Sequence, residues 1–277
     1  NLHDRRFEFA AWLVYEVGKP WREAHGDVME AIDYLRFYAF EMERLTSRVR
    51  RRNFTGESNA YLYGPRGVVA VLSPFSFPIA LLTGMTAAAL VTGNTVIVKP
   101  ASQAAICGYK LAELLNGAGL PVGVLNFVPG KGEEIGAHLV RHSGVDMIAF
   151  TGSSTTGCRI IEEARHVRAG QPQFKHVVAD MGGKNALIVD DDADLDEAVQ
   201  ATIASALGYS GQKCTSCSRA IVLSEVCDDF VSKLVEAVRG IKPAAADLPG
   251  TTVGPLVDAE AVARAKQYVE IGKREAR

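Results

Sequence analysis

Apolar positions follow a helical period at the start of the chain and a strand–helix alternation after it. Residues 2–17 read as a helix. From about Trp21 to Leu45 the positions Val28, Ile32, Leu35, Ala39 and Met42 step by three and four, which predicts a second, amphipathic helix. Gly18 and Pro20 punctuate the gap between the two. Residues 46–67 are polar and then alternate, with Tyr61 and Tyr63 on one face, the pattern of a hairpin arm.

Beyond the arm, the order strand, loop, helix repeats. Strand Gly67–Leu72 precedes the turn Ser73-Pro74-Phe75-Ser76-Phe77-Pro78 and the helix Ile79–Val91. Strand Thr95–Lys99 leads into a helix around Ala104–Gly117, and strand Leu125–Val128 into a helix Glu133–Val140. Strand Met147–Phe150 comes next, again followed by a helix. Strands rich in Val and Ile that alternate with helices imply a parallel α/β sheet. A second unit is expected to open near Gly182, dividing the chain into 1–181 and 182–277. In it, strand Ala186–Val189 is followed by the run Asp190-Asp191-Asp192-Ala193-Asp194 and a helix Leu195–Leu207. Acidic residues suit a helix start, and that reading outweighs a metal site.

Composition adds exclusions. A chain of 277 residues holds one large domain or two ordinary ones of roughly 100–200 residues each. With 48% hydrophobic and 22% charged residues it needs no disulfide or metal staple. A net charge of −2 argues against nucleic acid or an anionic membrane as partner. Arg48, Arg50, Arg51 and Arg52 form one basic cluster, a solvated loop in the first reading and a binding patch in the second. No apolar run is long enough for a membrane span. Five cysteines, an odd number with no signal peptide before them, suggest a reduced, cytoplasmic chain. The chain starts at Asn1 without Met and ends at Arg277 in helix-like sequence, so we expect a piece of a longer protein.

Candidate chemistry lies at loops after the strands. Gly130-Lys131-Gly132-Glu133-Glu134-Ile135-Gly136 and Gly152-Ser153-Ser154-Thr155-Thr156-Gly157 are each a tight turn or a phosphate cradle at a helix start. Lys99 closes a strand where α/β proteins bind ligands, although such a lysine is commonly just solvated. Cys214 sits in Ser210-Gly211-Gln212-Lys213-Cys214-Thr215-Ser216-Cys217, a small turn that lets a thiol face a cleft, with Lys213 and a helix end available to favour the thiolate. The Cys214/Cys217 spacing also reads as a redox pair or half a zinc site, but no second such pair completes a zinc site, so no metal is expected. A buried inert thiol is the alternative for Cys217 and covers Cys107, Cys158 and Cys227. No histidine lies in a similar small loop; His138, His142, His166 and His176 are expected at the surface. Asp180, just before Met181-Gly182-Gly183-Lys184, is the acid best placed to serve as a base.

These motifs resemble the aldehyde dehydrogenase superfamily over essentially the whole chain, and within it the 1-pyrroline-5-carboxylate (L-glutamate γ-semialdehyde) dehydrogenase branch. The runs that carry the resemblance are Gly18-Lys19-Pro20-Trp21-Arg22-Glu23-Ala24, Gly64-Pro65-Arg66-Gly67-Val68, Thr83-Gly84-Met85-Thr86-Ala87-Ala88-Ala89-Leu90, Met181-Gly182-Gly183-Lys184-Asn185 and Ser210-Gly211-Gln212-Lys213-Cys214. The resemblance implies a Rossmann-like NAD(P)-binding domain over 1–181, with 46–66 as an oligomerisation arm, and the beginning of an incomplete α/β catalytic domain over 182–277. It implies Cys214 as nucleophile, Asp180 as general base and Ser76 at the oxyanion, with Phe77 and Thr215 toward the aldehyde substrate. It assigns Lys99, Ser102, Gly132, Gly136, Phe150, Thr151, Gly152, Ser153 and Gly157 to the cofactor, NAD or NADP. It further implies a homo-oligomer and, in some members, fusion to proline dehydrogenase.

Three residues depart from the family pattern. Asp180 stands for a glutamate and shortens the reach by one methylene, roughly 1.5 Å. Ser76 stands for an asparagine and shortens the oxyanion donor. Ser102 stands where NAD-preferring relatives often carry a glutamate, which leaves NADP use open. The rival readings are another semialdehyde dehydrogenase, such as a succinate-semialdehyde type, and a non-catalytic NAD(P)-binding member.

Overall fold

The structure, a computed structural model, describes residues 1–47, 49, 50, 52 and 54–275. The arginine cluster falls partly outside them: Arg48 and Arg51 are not among the described residues, and Arg52 is exposed. Two compact units emerge, one made of Asn1–Phe9 and Gly26–Met181, the other of Ala10–His25 and the chain from Gly182 onward. Helices α1 (Arg6–Val17) and α2 (Trp21–Thr46) therefore each contribute to both.

In the first unit, β1 (Val49–Arg50) and β2 (Ala60–Tyr61) pair antiparallel as the arm, with the rings of Tyr61 and Tyr63 in edge contact at 5.1 Å. The runs of branched residues then form β3 (Val68–Leu72), β4 (Thr95–Lys99), β5 (Leu125–Phe127), β6 (Met147–Gly152) and β7 (His176–Met181), all parallel in the order β5-β4-β3-β6-β7. Between them run α3 (Ala80–Val91), α4 (Ala105–Gly117), α5 (Ala137–Arg141) and α6 (Ser154–Ala164). The chain steps outward from β3 to β5, then returns to the other side of β3. With right-handed crossovers, the helices flanking these two halves cover opposite faces, and the connection reverses between β3 and β6. One core joins Leu72, Ile148 and Phe150 of the sheet to Leu139, Val140, Ile160 and Ala164 of α5 and α6.

Two sequence expectations change here. The helix expected over Glu133–Val140 is a π turn, Gly132–Gly136, followed by the short α5. Strand β7 was not expected, because its exposed and half-buried residues alternate along an edge and carry no continuous apolar run.

The second unit holds β8 (Asn185–Val189), α7 (Leu195–Leu207), β9 (Cys217–Val222), α8 (Ser224–Arg239) and α9 (Ala259–Glu275). Asp194 caps α7, accepting from the backbone N–H of Asp196 and Glu197 at 2.9 and 3.1 Å, which confirms the helix-start reading of the acidic run. The side-chain oxygens of Asp190, Asp191 and Asp192 lie within 4.8 Å of one another but are exposed. Val189, Val199 and Phe230 form the core under the two parallel strands. The opposite face is bare, with Ile188 and Ile221 paired across the strands at 76% and 54% exposure. Parallel strands are ordinarily covered on both faces. Strand β9 and helix α8 were not anticipated from the sequence.

The segment 10–25, expected with 1–181, packs instead with the second unit. Tyr209 Oη donates to the Val17 carbonyl at 3.0 Å, Trp21 Nε1 to the Asp247 carbonyl at 2.9 Å, and a Cβ on Gly18 would come within 2.7 Å of Pro255. These contacts join residues far apart in sequence, so the local pattern carried no trace of them. No helix among the described residues is long and apolar enough to cross a membrane.

Helix α3 begins without a cap of its own; its Ala80 N–H donates at 2.6 Å to the buried Asp27 carboxylate of α2. A carboxylate at a helix start is favoured by the helix dipole, and removing a buried acceptor leaves an orphan donor. We expect Asp27→Ala to lower stability by about 1–3 kcal/mol and Asp27→Asn by less, as read by urea denaturation.

Candidate active site

The register of the first unit aligns Lys99, Leu72, Phe150 and Ala179 in one row across four strands, and sets Thr151 opposite Asp180. All strands are parallel, so this row lies at their carboxyl ends, beside the reversal point between β3 and β6 where open α/β sheets bind ligands. Ser76 and Phe77, both half-buried, lie in the loop that leaves β3. Asp180 is exposed near the end of β7. Most of the first-unit residues singled out from the sequence thus gather at one edge.

Lys99 is not the solvated lysine of the bland reading. It is 6% exposed, and its ammonium donates to the Pro100 carbonyl at 2.8 Å. Burial pushes its pKa down, because the buried ammonium loses water. The Ser73 hydroxyl, at the end of β3, is buried with no hydrogen-bond partner among the described residues. Ser153 caps α6, its Oγ accepting from Thr156 N–H at 3.3 Å, and Ser154 and Thr155 in the first turn are exposed. An added Cβ at Gly132 or at the buried Gly136 would meet nothing within 4 Å. Together these groups can take an anion at the α6 N-terminus and hydroxyls at Lys99.

Other members of the set serve packing. A Cβ at Gly157 would stand 2.5 Å from Met181 Sδ, and one at Gly152 would stand 2.6 Å from the Phe150 ring. These glycines let α6 and the end of β6 sit close against their neighbours. The Thr151 hydroxyl turns to Met85 Sδ at 3.7 Å, and exposed Ser102 donates to the Gly130 carbonyl at 3.3 Å.

In the second unit, Cys214 is part-exposed in a turn and Thr215 is exposed beside it. The approach to this turn is strained: Tyr209 and Ser210 both adopt positive φ, 53° and 57°, which costs a residue with a Cβ roughly 1–2 kcal/mol. Several contacts hold it there. Tyr209 is 0% exposed under the Lys19 ammonium, 5.2 Å from the ring centre. Ser210 Oγ donates to the Gly254 carbonyl at 2.7 Å. Gln212 donates to the Pro255 carbonyl and accepts from Val257 N–H at 3.2 and 2.9 Å. On the other side, Asn185 Nδ2 donates to the carbonyls of Cys214 and Ser216 at 2.8 and 3.1 Å.

The electrostatic reading of this turn needs correction. Lys213 binds both carboxylate oxygens of Glu23 at 3.1 and 3.2 Å, over the bare backbone of Gly208, so its charge is already matched. The helix before the cysteine ends at Leu207 with its carbonyl end, the wrong sign to favour a thiolate, seven positions before Cys214. Among the other thiols Cys107 is buried, Cys217 and Cys227 are part-exposed, and Cys158 on α6 is exposed rather than buried. His138, His142, His166 and His176 are exposed, as expected. The sequence reading missed Asn185, Tyr209, Lys19 and Glu23 as supports of the cysteine turn. Two runs offered a local signal, Met181-Gly182-Gly183-Lys184-Asn185 for Asn185 and Gly18-Lys19-Pro20-Trp21-Arg22-Glu23-Ala24 for Lys19 and Glu23.

The chain belongs to the aldehyde dehydrogenase family, whose model matches residues 1–277. It is similar to 1-pyrroline-5-carboxylate dehydrogenase of Geobacillus thermodenitrificans, 48% identical over 273 residues that make up 99% of this chain and 53% of that protein. Among solved structures it resembles a 1-pyrroline-5-carboxylate dehydrogenase from Thermus with bound NAD, at 40% identity and a TM-score of 0.96, covering 99% of this chain and 53% of that one. It also resembles proline utilization A from Bdellovibrio bacteriovorus, at 47% identity and a TM-score of 0.96, covering 99% of this chain and 29% of that one. The chain thus spans about half the length of the curated relatives it matches, 53% in the first of them.

The pKa of Lys99 has a measurable consequence. Because its folded value lies below the ordinary 10.5, the unfolded chain holds the proton more readily between the two values. The destabilisation is therefore complete below the folded pKa and is relieved as pH rises through it toward 10.5. Lys99→Met should raise the guanidinium midpoint of the ligand-free protein at neutral pH, with a gap that narrows in alkaline titrations; a constant gap would rule out this origin.

Proposed function

We propose that the complete protein oxidises an aldehyde to a carboxylic acid with NAD, and that its substrate is L-glutamate γ-semialdehyde, which becomes L-glutamate in proline catabolism. The observation that carries this reading is Cys214, a part-exposed thiol on a turn whose strained approach is locked by hydrogen bonds. The names of the relatives support the substrate. The residues at the sheet edge fit a dinucleotide: Lys99 has donors to offer ribose hydroxyls, and Ser153 and the start of α6 suit its pyrophosphate. Gly132, Gly136, Phe150, Thr151, Gly152 and Gly157 shape the same edge. NAD, when bound, supplies the hydride acceptor. We assign the span 1–181 to cofactor binding, apart from the segment 10–25, and 182–277 to the start of the catalytic domain.

Cys214 as thiolate forms a bond to the aldehyde carbon, and the carbonyl π pair moves onto oxygen. By the resemblance, the role of oxyanion donor is assigned to the backbone N–H of Cys214 and to the Ser76 hydroxyl. After oxidation the acyl group is held as a thioester on Cys214. Asp180 takes a proton from water, the water oxygen adds to the thioester carbon, and the sulfur leaves as thiolate. By the resemblance, Phe77 and Thr215 are assigned to the substrate.

A second reading is favoured by the paired shortening at Ser76 and Asp180: a member that binds NAD(P) without turnover. Ser102, neutral and already bonded to Gly130, leaves no charge to repel the 2′-phosphate of NADP. The exposed aromatic pair Tyr61 and Tyr63 supports oligomerisation through the arm. Fusion to proline dehydrogenase stays open on the proline utilization A likeness. The cysteines, none in a disulfide, suit the cytoplasm.

Pre-steady-state kinetics on the complete protein tests the assignment. A burst of reduced cofactor followed by a slower phase is expected, because the short Asp180 limits deacylation. Asp180→Glu should speed the slow phase, and Asp180→Ala should slow it by about 10²–10⁴-fold. Ser76→Asn should speed the burst. Cys214→Ala should abolish both phases, while Cys217→Ala should leave them. Turnover that survives Cys214→Ala would refute the mechanism, and no turnover in the wild type despite cofactor binding would favour the second reading.

A further inference from the structure

We infer that Asn185 is a positioning residue for the nucleophile, an inference that rests on Cys214 being that nucleophile. The Asn185 side-chain amide uses both of its N–H groups' reach on one target, the turn that carries the thiol: Nδ2 donates to the Cys214 carbonyl at 2.8 Å and to the Ser216 carbonyl at 3.1 Å. Pinning the Cys214 carbonyl fixes the peptide that follows the cysteine and so the direction in which its side chain leaves the backbone. The opposite side of the turn is held as well, with Cys217 N–H donating to Ser205 Oγ at 3.1 Å.

The surrounding chain is arranged around this amide. A Cβ on Gly183 would stand 2.8 Å from Asn185 Oδ1, so the second glycine of Gly182-Gly183-Lys184-Asn185 leaves the space the amide occupies. Asn185 opens β8 opposite Cys217, while Ala186 pairs with Arg219, so Ser218 is passed over and the strand pair is irregular at this point. Bulges of this kind re-aim side chains next to active sites. The Ser218 hydroxyl closes the irregularity by donating to the Asn185 carbonyl at 3.4 Å.

The chemistry selects asparagine. Two carbonyl oxygens face the group, so it must donate, and a carboxylate would repel both. The amide also engages the negative end of the Cys214 carbonyl dipole, close to where a thiolate must form, and it does so without adding charge. With Lys213 matched by Glu23, the amide is a neutral donor that lowers the negative potential of this carbonyl on the turn itself.

The test uses the complete protein with NAD and L-glutamate γ-semialdehyde, and compares the wild type with Asn185→Ala, Asn185→Asp and Cys214→Ala. Iodoacetamide alkylation of Cys214 across pH and the rate of the NADH burst are read for each. Asn185→Ala should slow the burst by on the order of 10²-fold, as misplacement of a reacting group does, with KM for the aldehyde little changed. The alkylation midpoint should move to higher pH in Asn185→Ala and further in Asn185→Asp. A slower burst with an unmoved alkylation profile would reduce Asn185 to a structural role and overturn the inference, as would wild-type rates. If Asn185→Asp does not fold, Asn185→Ala decides by the same two readings. Turnover by Cys214→Ala would instead overturn the nucleophile assignment, a result that the Asn185 variants cannot produce.

Discussion

Parallel pairing forces the carboxyl ends of β4, β3, β6 and β7 onto a single edge, and the chemistry of the first unit depends on that constraint. Each strand end delivers a different group: Lys99 a buried ammonium, Ser73 a buried hydroxyl with no hydrogen-bond partner among the described residues, Thr151 and Ser153 the approach to α6, and Asp180 a carboxylate. The residues lie far apart in sequence, and the hydrogen-bond ladder sets their spacing. The core under β6, built from Leu72, Ile148 and Phe150 with α5 and α6, keeps the ladder in register. A slip of one residue would turn every side chain of a strand to the other face.

The second unit solves a different problem. A side chain on a turn keeps one direction only if the backbone around it is held, and around Cys214 hydrogen bonds do that. Tyr209 and Ser210 store strain that isolated turns would release. Fully buried Tyr209, the Ser210 and Gln212 hydrogen bonds and the Asn185 amide keep it in place. Strain maintained by an over-determined surrounding is a common feature of reactive sites.

Both units show polar groups set in positions that stability alone would not choose. Lys99 is buried with its charge only partly satisfied, and the Ser73 hydroxyl has no hydrogen-bond partner among the described residues. Such groups cost free energy in the ligand-free chain and are offset when a ligand meets them. The bare apolar face of β8 and β9, with Ile188 and Ile221 exposed, is the same kind of unfinished arrangement on a larger scale.

The sequence by itself determined the alternation of strands and helices, the helix start at the acidic run 190–194, the arm with its two tyrosines and the identity of the residues that can do chemistry. These are local properties: a period of two or 3.6, a side chain that bonds its own backbone, a reactive atom. Only the tertiary structure decided that Lys99 is buried, that Lys213 is matched by Glu23 and that residues 10–25 join the second unit. It also decided that β7 adds an edge to the sheet and that Asn185 holds the turn of Cys214. Each of these depends on a partner distant in the chain. Burial and charge are properties of the space around a residue, and neighbours in sequence do not specify that space.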